Sequence, residues 1–262
     1  MTLPDYVLEQ SAITQIRLGL IGKPGAGKTT AALTFPNPLV LDRDKKLPPG
    51  AAVKSIPFYN TAFSKKFGGD REALVNFLTK EAPSKIPSNM TMIIDSWTMF
   101  MNCFDLWADS VSTSMFWSAK KNEVDGFAIH ADRINYAVEI MTALKQLPHN
   151  FIINFHEQIE REKTGPNAGK PSGNIKPLMK GQFADQAAAH MTDFFRQVII
   201  RDKTTAKLSY VWEVLPSDEF FPITSFKSPD RYIPATYEAL LDYRKRYPVK
   251  TPIIYTSMET AV

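Results

Sequence analysis

Uninterrupted apolar runs recur along the 262-residue chain, and most of them stop at a charged or polar residue. Residues 16–21 (IRLGLI) are broken only by Arg17 and Gly19. Residues 39–41 stop at Asp42-Arg43-Asp44, residues 92–94 stop at Asp95, and residues 151–155 lead to His156. Such runs suit strands buried on both faces of a parallel sheet. Helical patterns lie between them. A short helix is predicted over 28–34, stopped by Pro36 and Pro38. A second starts at Asp70 as N-cap, with Leu74, Val75 and Leu78 on one face. Residues 96–147 read as largely helical. There Trp97, Phe100, Phe104 and Trp107 form a stripe that reads as core packing, and Ile134, Ala137, Val138, Met141 and Leu144 form a second. A helix near 183–194, β-rich runs at 197–200 and 208–214 joined by a turn at 202–207, and a helix near 235–246 complete the pattern. Residues 45–69 and 157–182 read as loops, the second one long and mobile. Strands alternating with helices predict an α/β fold: a mostly parallel twisted sheet with flanking helices and a C-terminal antiparallel hairpin. One domain is expected over 1–262, with 1–13 as an N-terminal extension and 248–262 as a tail.

Composition narrows the classes. Hydrophobic residues at 44% and charged residues at 22% exclude a disordered chain. The single cysteine, Cys103, excludes a disulfide scaffold and a cysteine zinc site. No apolar run approaches a membrane span, and the N-terminal MTLPDYVLEQ lacks a basic stretch followed by an apolar one. A cytoplasmic, reducing setting without membrane contact is the expectation. The net charge of +4 permits nucleic-acid contact without establishing it.

The chemistry begins at Gly22-Lys23-Pro24-Gly25-Ala26-Gly27-Lys28-Thr29, which matches G-x-x-x-x-G-K-[ST] between a predicted strand and a predicted helix. Glycines let the backbone N–H groups wrap a phosphate, and the following helix, with Thr30 in its first turn, adds its positive end. Lys28 is expected to reach the β- and γ-phosphates of ATP, and Thr29 to bind Mg²⁺. Asp95, at the tip of an apolar strand, is the expected second Mg²⁺ residue, acting through water. Asp42 and Asp44 end another strand. Either could serve as the base that deprotonates an attacking water, with Asp44 preferred. His156 ends the fourth strand and is a candidate γ-phosphate sensor. HEQIE is one histidine short of the zinc motif H-E-x-x-H, because Glu160 stands in the second position.

With these residues in place, the chain resembles the RecA-like P-loop ATPases, and more narrowly the phage-encoded nucleotide-binding proteins that act as single-strand annealing ATPases. The resemblance is carried by GKPGAGKTTAALTFPNPLVLD, IIDSWT and FKSPDRYIP and covers most of residues 14–246. It implies that Lys28, Asp44, Asp95 and His156 are catalytic. Asp44 stands where RecA-like proteins have glutamate, a side chain shorter by one methylene. His156 stands where RecA has glutamine, with Gln158 as a competitor. The resemblance also implies ATP hydrolysis, stimulated by single-stranded DNA, in annealing or strand exchange. The implied partners are single-stranded DNA, further copies of the chain in a ring or filament, and a single-strand-binding protein. DNA contact maps by position onto Arg161, Lys163, Lys170, Lys176 and Lys180. Phe116 and Trp117, with Lys120 and Lys121, are a second aromatic and cationic candidate. Lys203 and Lys207 are candidates for completing a neighbour's site. The alternative is an NTP-switched adaptor or helicase loader with a protein partner. A small-molecule kinase is disfavoured, because Arg161 is the only arginine in 157–182.

Overall fold

The computed structural model describes residues 15–48, 50, 53–66, 69, 71–119, 123–161, 166, 169–179 and 183–249. The predicted extension 1–13, the tail beyond 249 and the predicted cap Asp70 lie outside them.

β1 (Arg17–Gly22) and α1 (Lys28–Ala32) flank the glycine loop, and β2 (Pro38–Asp42) and β3 (Lys54–Pro57) follow. The next layer is α2 (Thr61–Lys66), α3 (Ala73–Asn76), a π-helical turn (Phe77–Glu81) and α4 (Ala82–Lys85). β4 (Thr91–Asp95) leads into α5 (Trp97–Met115), and a small ribbon of β5 (Trp117–Ser118) and β6 (Glu123–Val124) precedes α6 (Gly126–Gln146). β7 (Asn150–Arg161), β8 (Pro171–Pro177), α7 (Phe183–Gln186) and a 3₁₀ turn (Ala187–His190) come next. β9 (Asp193–Arg201), β10 (Leu208–Glu213), β11 (Tyr232–Pro234) and α8 (Tyr237–Arg246) finish the domain.

The nine-stranded sheet has the order β11-β10-β9-β1-β7-β4-β2-β3, with β8 paired to β7. The six strands from β9 to β3 are parallel, and β10 and β11 run antiparallel. Strands β2 and β9 lie on opposite sides of β1. The order therefore reverses at β1, which places a ligand crevice at the carboxyl ends of the parallel strands.

Apolar alternation covers both faces of this sheet. Leu18, Leu20, Val40, Ile93 and Ile152 pack with Ala31, Ala32, Trp212 and Leu240 on one face. Ile21, Ile94, Ile153 and Phe155 pack with Trp97, Phe100, Phe104, Tyr136, Ile140 and Leu144 on the other. Burying one such large side chain is worth about 1.5–3 kcal/mol, so the helical stripes hold the layers together. The aromatic stripe is core: Trp97, Phe100 and Phe104 are buried, and Trp107 packs on Phe104 at 5.5 Å. On α6 the buried positions are Tyr136, Ala137, Ile140, Met141, Ala143 and Leu144, whereas Val138 faces outward, 40% exposed.

The structure departs from the sequence expectations at several elements, the β5–β6 ribbon within 96–147 and β11 among them. Residues 45–69 contain β3 and α2. β3 is an edge strand with two exposed residues, so no apolar run marks it. Residues 157–182 are not one long loop. β7 continues to Arg161 and pairs with β8, with Gln158 opposite Lys176 and Ile159 opposite Ile175. This hairpin carries mostly polar residues, and its pairing is made by the backbone. The helix near 183–194 stops at His190, because Asp193 starts β9, buried against Ser225 and Arg244. The helix with Leu74, Val75 and Leu78 is divided among α3, the π turn and α4. Among the described residues no helix is long and apolar enough to cross a membrane.

Candidate nucleotide site

β1 is almost wholly buried and delivers Gly22 to the crevice, opposite His156 of β7. A Cβ on Gly22 would lie 2.7 Å from the Gln197 backbone oxygen, so only glycine lets the loop leave the sheet here. Gly27 turns the chain into α1 with φ of +87°, and a Cβ there would meet the Tyr210 ring at 2.7 Å. Inside the loop Ala26 N–H donates to the Lys23 carbonyl at 3.2 Å.

Lys28 is 6% exposed, and its Nζ donates to the Gly22 and Lys23 carbonyls at 2.8 and 2.9 Å. Burial pulls its ammonium below the ordinary value, against the opposing charges of Asp95, Glu157 and Asp44. The cation thus waits inside the loop among carboxylates.

β2 and β4 are adjacent, with Asp42 opposite Asp95. Thr29 Oγ1 donates to Asp95 Oδ2 at 2.7 Å, and Asn154 Nδ2 donates to Asp95 Oδ1 at 3.0 Å. The two aspartates after β2's apolar run differ in situation. Asp42 is buried, accepts the Lys45 N–H at 2.8 Å and does not line the crevice. Its burial, reinforced by Asp95, raises the carboxyl above its ordinary value despite the Lys45 N–H. Asp44 faces the crevice, with Ser96 Oγ at 3.3 Å from each carboxylate oxygen and His156 Nε2 at 3.9 Å. Burial pushes Asp44 up, but His156, the Ser96 backbone and Lys46 together outweigh it and hold the carboxyl below its ordinary value. Gln158 is committed elsewhere, donating to the Pro177 carbonyl at 2.9 Å.

These groups line one cavity of about 690 Å³. Pro24, Gly25, Gly27, Lys28, Thr29 and Thr30 form its floor, Asp44, Asp95 and His156 one wall, and Tyr210 with Pro234, Ala235 and Thr236 the other. Gly22 and Ala26 support the loop from behind. Lys23 lines a smaller cavity of about 360 Å³ with Glu157 and Arg196. The sequence reading did not include Ser96, Asn154 or Tyr210. Asn154 leaves a visible trace, a polar residue inside an apolar run. Tyr210 leaves none, since only the fold of β10 brings it to Gly27.

The proposed DNA residues among the described ones do not line this cavity. Arg161 donates to the Gly169 carbonyl at 2.6 Å, Lys170 is exposed, and Lys176 pairs with Glu160 at 2.8 Å. Lys163, Lys180, Lys120 and Lys121 lie outside the described residues. Phe116 packs edge-on against Trp107, and Trp117 is 49% exposed. Lys203 and Lys207 are exposed on the β9–β10 turn, which Asp202 caps by accepting from Thr204 and Thr205 N–H.

A family model described as an AAA domain matches residues 14–220. The chain belongs to the AAA domain family. Its glycine loop between β1 and α1 is the P-loop of that family, and the chain is a nucleotide-binding ATPase domain. Among solved structures, the flagellar accessory protein FlaH from Methanocaldococcus jannaschii is similar over 83% of each chain, at 11% identity and a TM-score of 0.37. No curated protein matches.

The residues present fit Mg²⁺–ATP. The loop leaves no room for Cβ at Gly22 or Gly27, a buried lysine waits inside it, and a hydroxyl and a carboxylate meet at its edge.

Proposed function

We propose that this AAA domain binds and hydrolyses Mg²⁺–ATP, with Asp44 as base and His156 as sensor, and that single-stranded DNA stimulates the reaction. One observation carries the hydrolytic reading: the Lys28, Thr29–Asp95 and Asp44–His156 groups converge on a single cavity from four neighbouring segments.

Lys28 exchanges its two carbonyl partners for phosphate oxygens and holds them against the loop N–H groups. Thr29 and Asp95 are the residues that would hold a Mg²⁺, which would supply charge neutralisation and polarisation at the phosphate. Asp44, ionised and reached by Ser96, orients a water and takes its proton. His156 lies beside Asp44 and reports occupancy of the cavity along β7.

The DNA reading rests on the family resemblance and on connectivity. His156 and Arg161 lie on one strand, and that strand forms the hairpin carrying Lys170 and Lys176. A cationic hairpin engages phosphates without reading bases. Self-association, with Lys203 and Lys207 reaching a neighbour's cavity, and annealing or strand exchange as the biological role belong to the same proposal. Phosphate release with and without oligo-dT tests it. Stimulation by the oligonucleotide is the expected result. An identical rate, with no binding of oligo-dT, would overturn the DNA role and favour the adaptor.

A further inference from the structure

We infer that Asn154 is a positioning residue for the divalent cation: it sets the Asp95 carboxylate so that a hydrated Mg²⁺ is held against Thr29. The inference rests on the nucleotide reading above.

Asn154 is fully buried in the middle of β7, between Ile153 and Phe155, which are also fully buried. β7 is itself interior to the sheet, with β1 on one side and β4 on the other. An amide at such a place is costly, and an aliphatic side chain would be the default choice for stability. Sheet pairing does not require it, because the backbone ladders hold β7 to both neighbours. What the amide does is donate to Asp95. Nδ2 lies 3.0 Å from Oδ1, while Thr29 Oγ1 lies 2.7 Å from Oδ2. Both carboxylate oxygens are acceptors, so the amide must present its nitrogen there. Among the described residues its own Oδ1 has no hydrogen-bond partner, which marks the donor as the half of the amide that the site uses.

The consequence is geometric. Two donors, one from β7 and one from α1, fix the rotation of the Asp95 carboxylate. Thr29 is the hydroxyl placed to join the cation through an oxygen lone pair while its O–H stays on Asp95 Oδ2. Asn154 holds the other oxygen, so the pair of donors keeps the carboxylate facing the cation. Outer-shell partners of this kind are worth about 10- to 100-fold in metal affinity.

The test measures binding, not turnover. A fluorescent ATP analogue is titrated against wild type, Asn154→Leu and Asn154→Ala, in EDTA and across a Mg²⁺ series, with thermal unfolding of each protein alongside. The expected result is wild-type affinity in EDTA for both variants and a half-saturating Mg²⁺ concentration raised about tenfold or more. The alanine variant serves if leucine is too large for the site. An unchanged Mg²⁺ requirement would overturn the role of Asn154 alone. Equal weakening in EDTA and in Mg²⁺ would also overturn it, by showing damage to the loop. A wild-type affinity indifferent to Mg²⁺ would overturn the metal reading of Asp95 and this inference together.

Discussion

Asp44 Oδ2 lies 3.9 Å from His156 Nε2, and both residues line the cavity beside the glycine loop. The two residues come from the loop after β2 and from β7, strands separated in the sheet by β4. Asp44 is kept ionised and facing inward, while Asp42, on the same segment, is turned into the protein. On the proposed reading the pair divides two tasks, proton acceptance and sensing, between two chain segments that border the same cavity.

Removing the loop cation separates binding from folding. Lys28→Ala should weaken ATP binding by about 10- to 100-fold, the equivalent of charge-assisted hydrogen bonds of about 1.5–3 kcal/mol. The variant should remain folded, since Lys28 bonds to its own loop carbonyls and belongs to no apolar core cluster. Calorimetric titration with ATP and a thermal melt check both statements. Unchanged affinity would contradict the role of the loop.

Asp42→Asn should act in the opposite sense. Burial raises the Asp42 carboxyl above its ordinary 3.8, so the folded state prefers the neutral form. Its favourable contribution is complete below that value and is lost as pH rises through the higher folded value. At pH 7 the asparagine variant, which still accepts the Lys45 N–H, should melt at a higher temperature than wild type. The gap should close as pH falls toward about 4. Turnover should stay near wild type. A large loss of turnover would transfer the base from Asp44 to Asp42.

The Asp44 carboxyl has the reverse linkage. Its folded value lies below the ordinary 3.8, so its contribution to stability is complete above 3.8 and is lost as pH falls below it. Turnover measured from pH 5 to 8 should therefore show no acid loss attributable to Asp44. An acid limb within that range whose midpoint moves in Asp44→Glu would contradict this.

The hairpin has its own measurement. Arg161→Ala, Lys170→Ala and Lys176→Ala together should weaken oligo-dT binding and lower the log–log salt slope by about 0.7 for each phosphate no longer neutralised. Basal hydrolysis should hold, because Arg161, Lys170 and Lys176 do not line the nucleotide cavity. An unchanged slope would remove the hairpin as the DNA site.

Self-association is tested by concentration. Specific activity should rise with protein concentration and with oligo-dT. Lys203→Ala with Lys207→Ala should remove that rise while leaving ATP binding intact. Flat activity from nanomolar to micromolar protein would contradict an intersubunit site.

What could be read in advance follows from how local each signal is. Gly22 to Thr29 is legible because its chemistry lies in one short loop, and Asp95 because an apolar strand announces its tip. Asp44 and His156 are legible as strand-end polar residues, but their approach to each other depends on sheet order. Asn154 stands out as a polar break in an apolar run, yet its meaning appears only when β4 is set beside β7. The β7–β8 hairpin hides because backbone pairing leaves no trace in polar side chains. Tyr210 hides because its place at Gly27 depends on β10 lying beside β9.

The central claim is that this cavity hydrolyses ATP with Asp44 as the base. Steady-state phosphate release from Mg²⁺–ATP by wild type and Asp44→Asn, paired with the ATP affinity of each, tests it most directly. The account predicts near-equal affinities and a turnover lower by about 10²- to 10⁴-fold in the variant. Wild-type turnover in Asp44→Asn at matched affinity would contradict it.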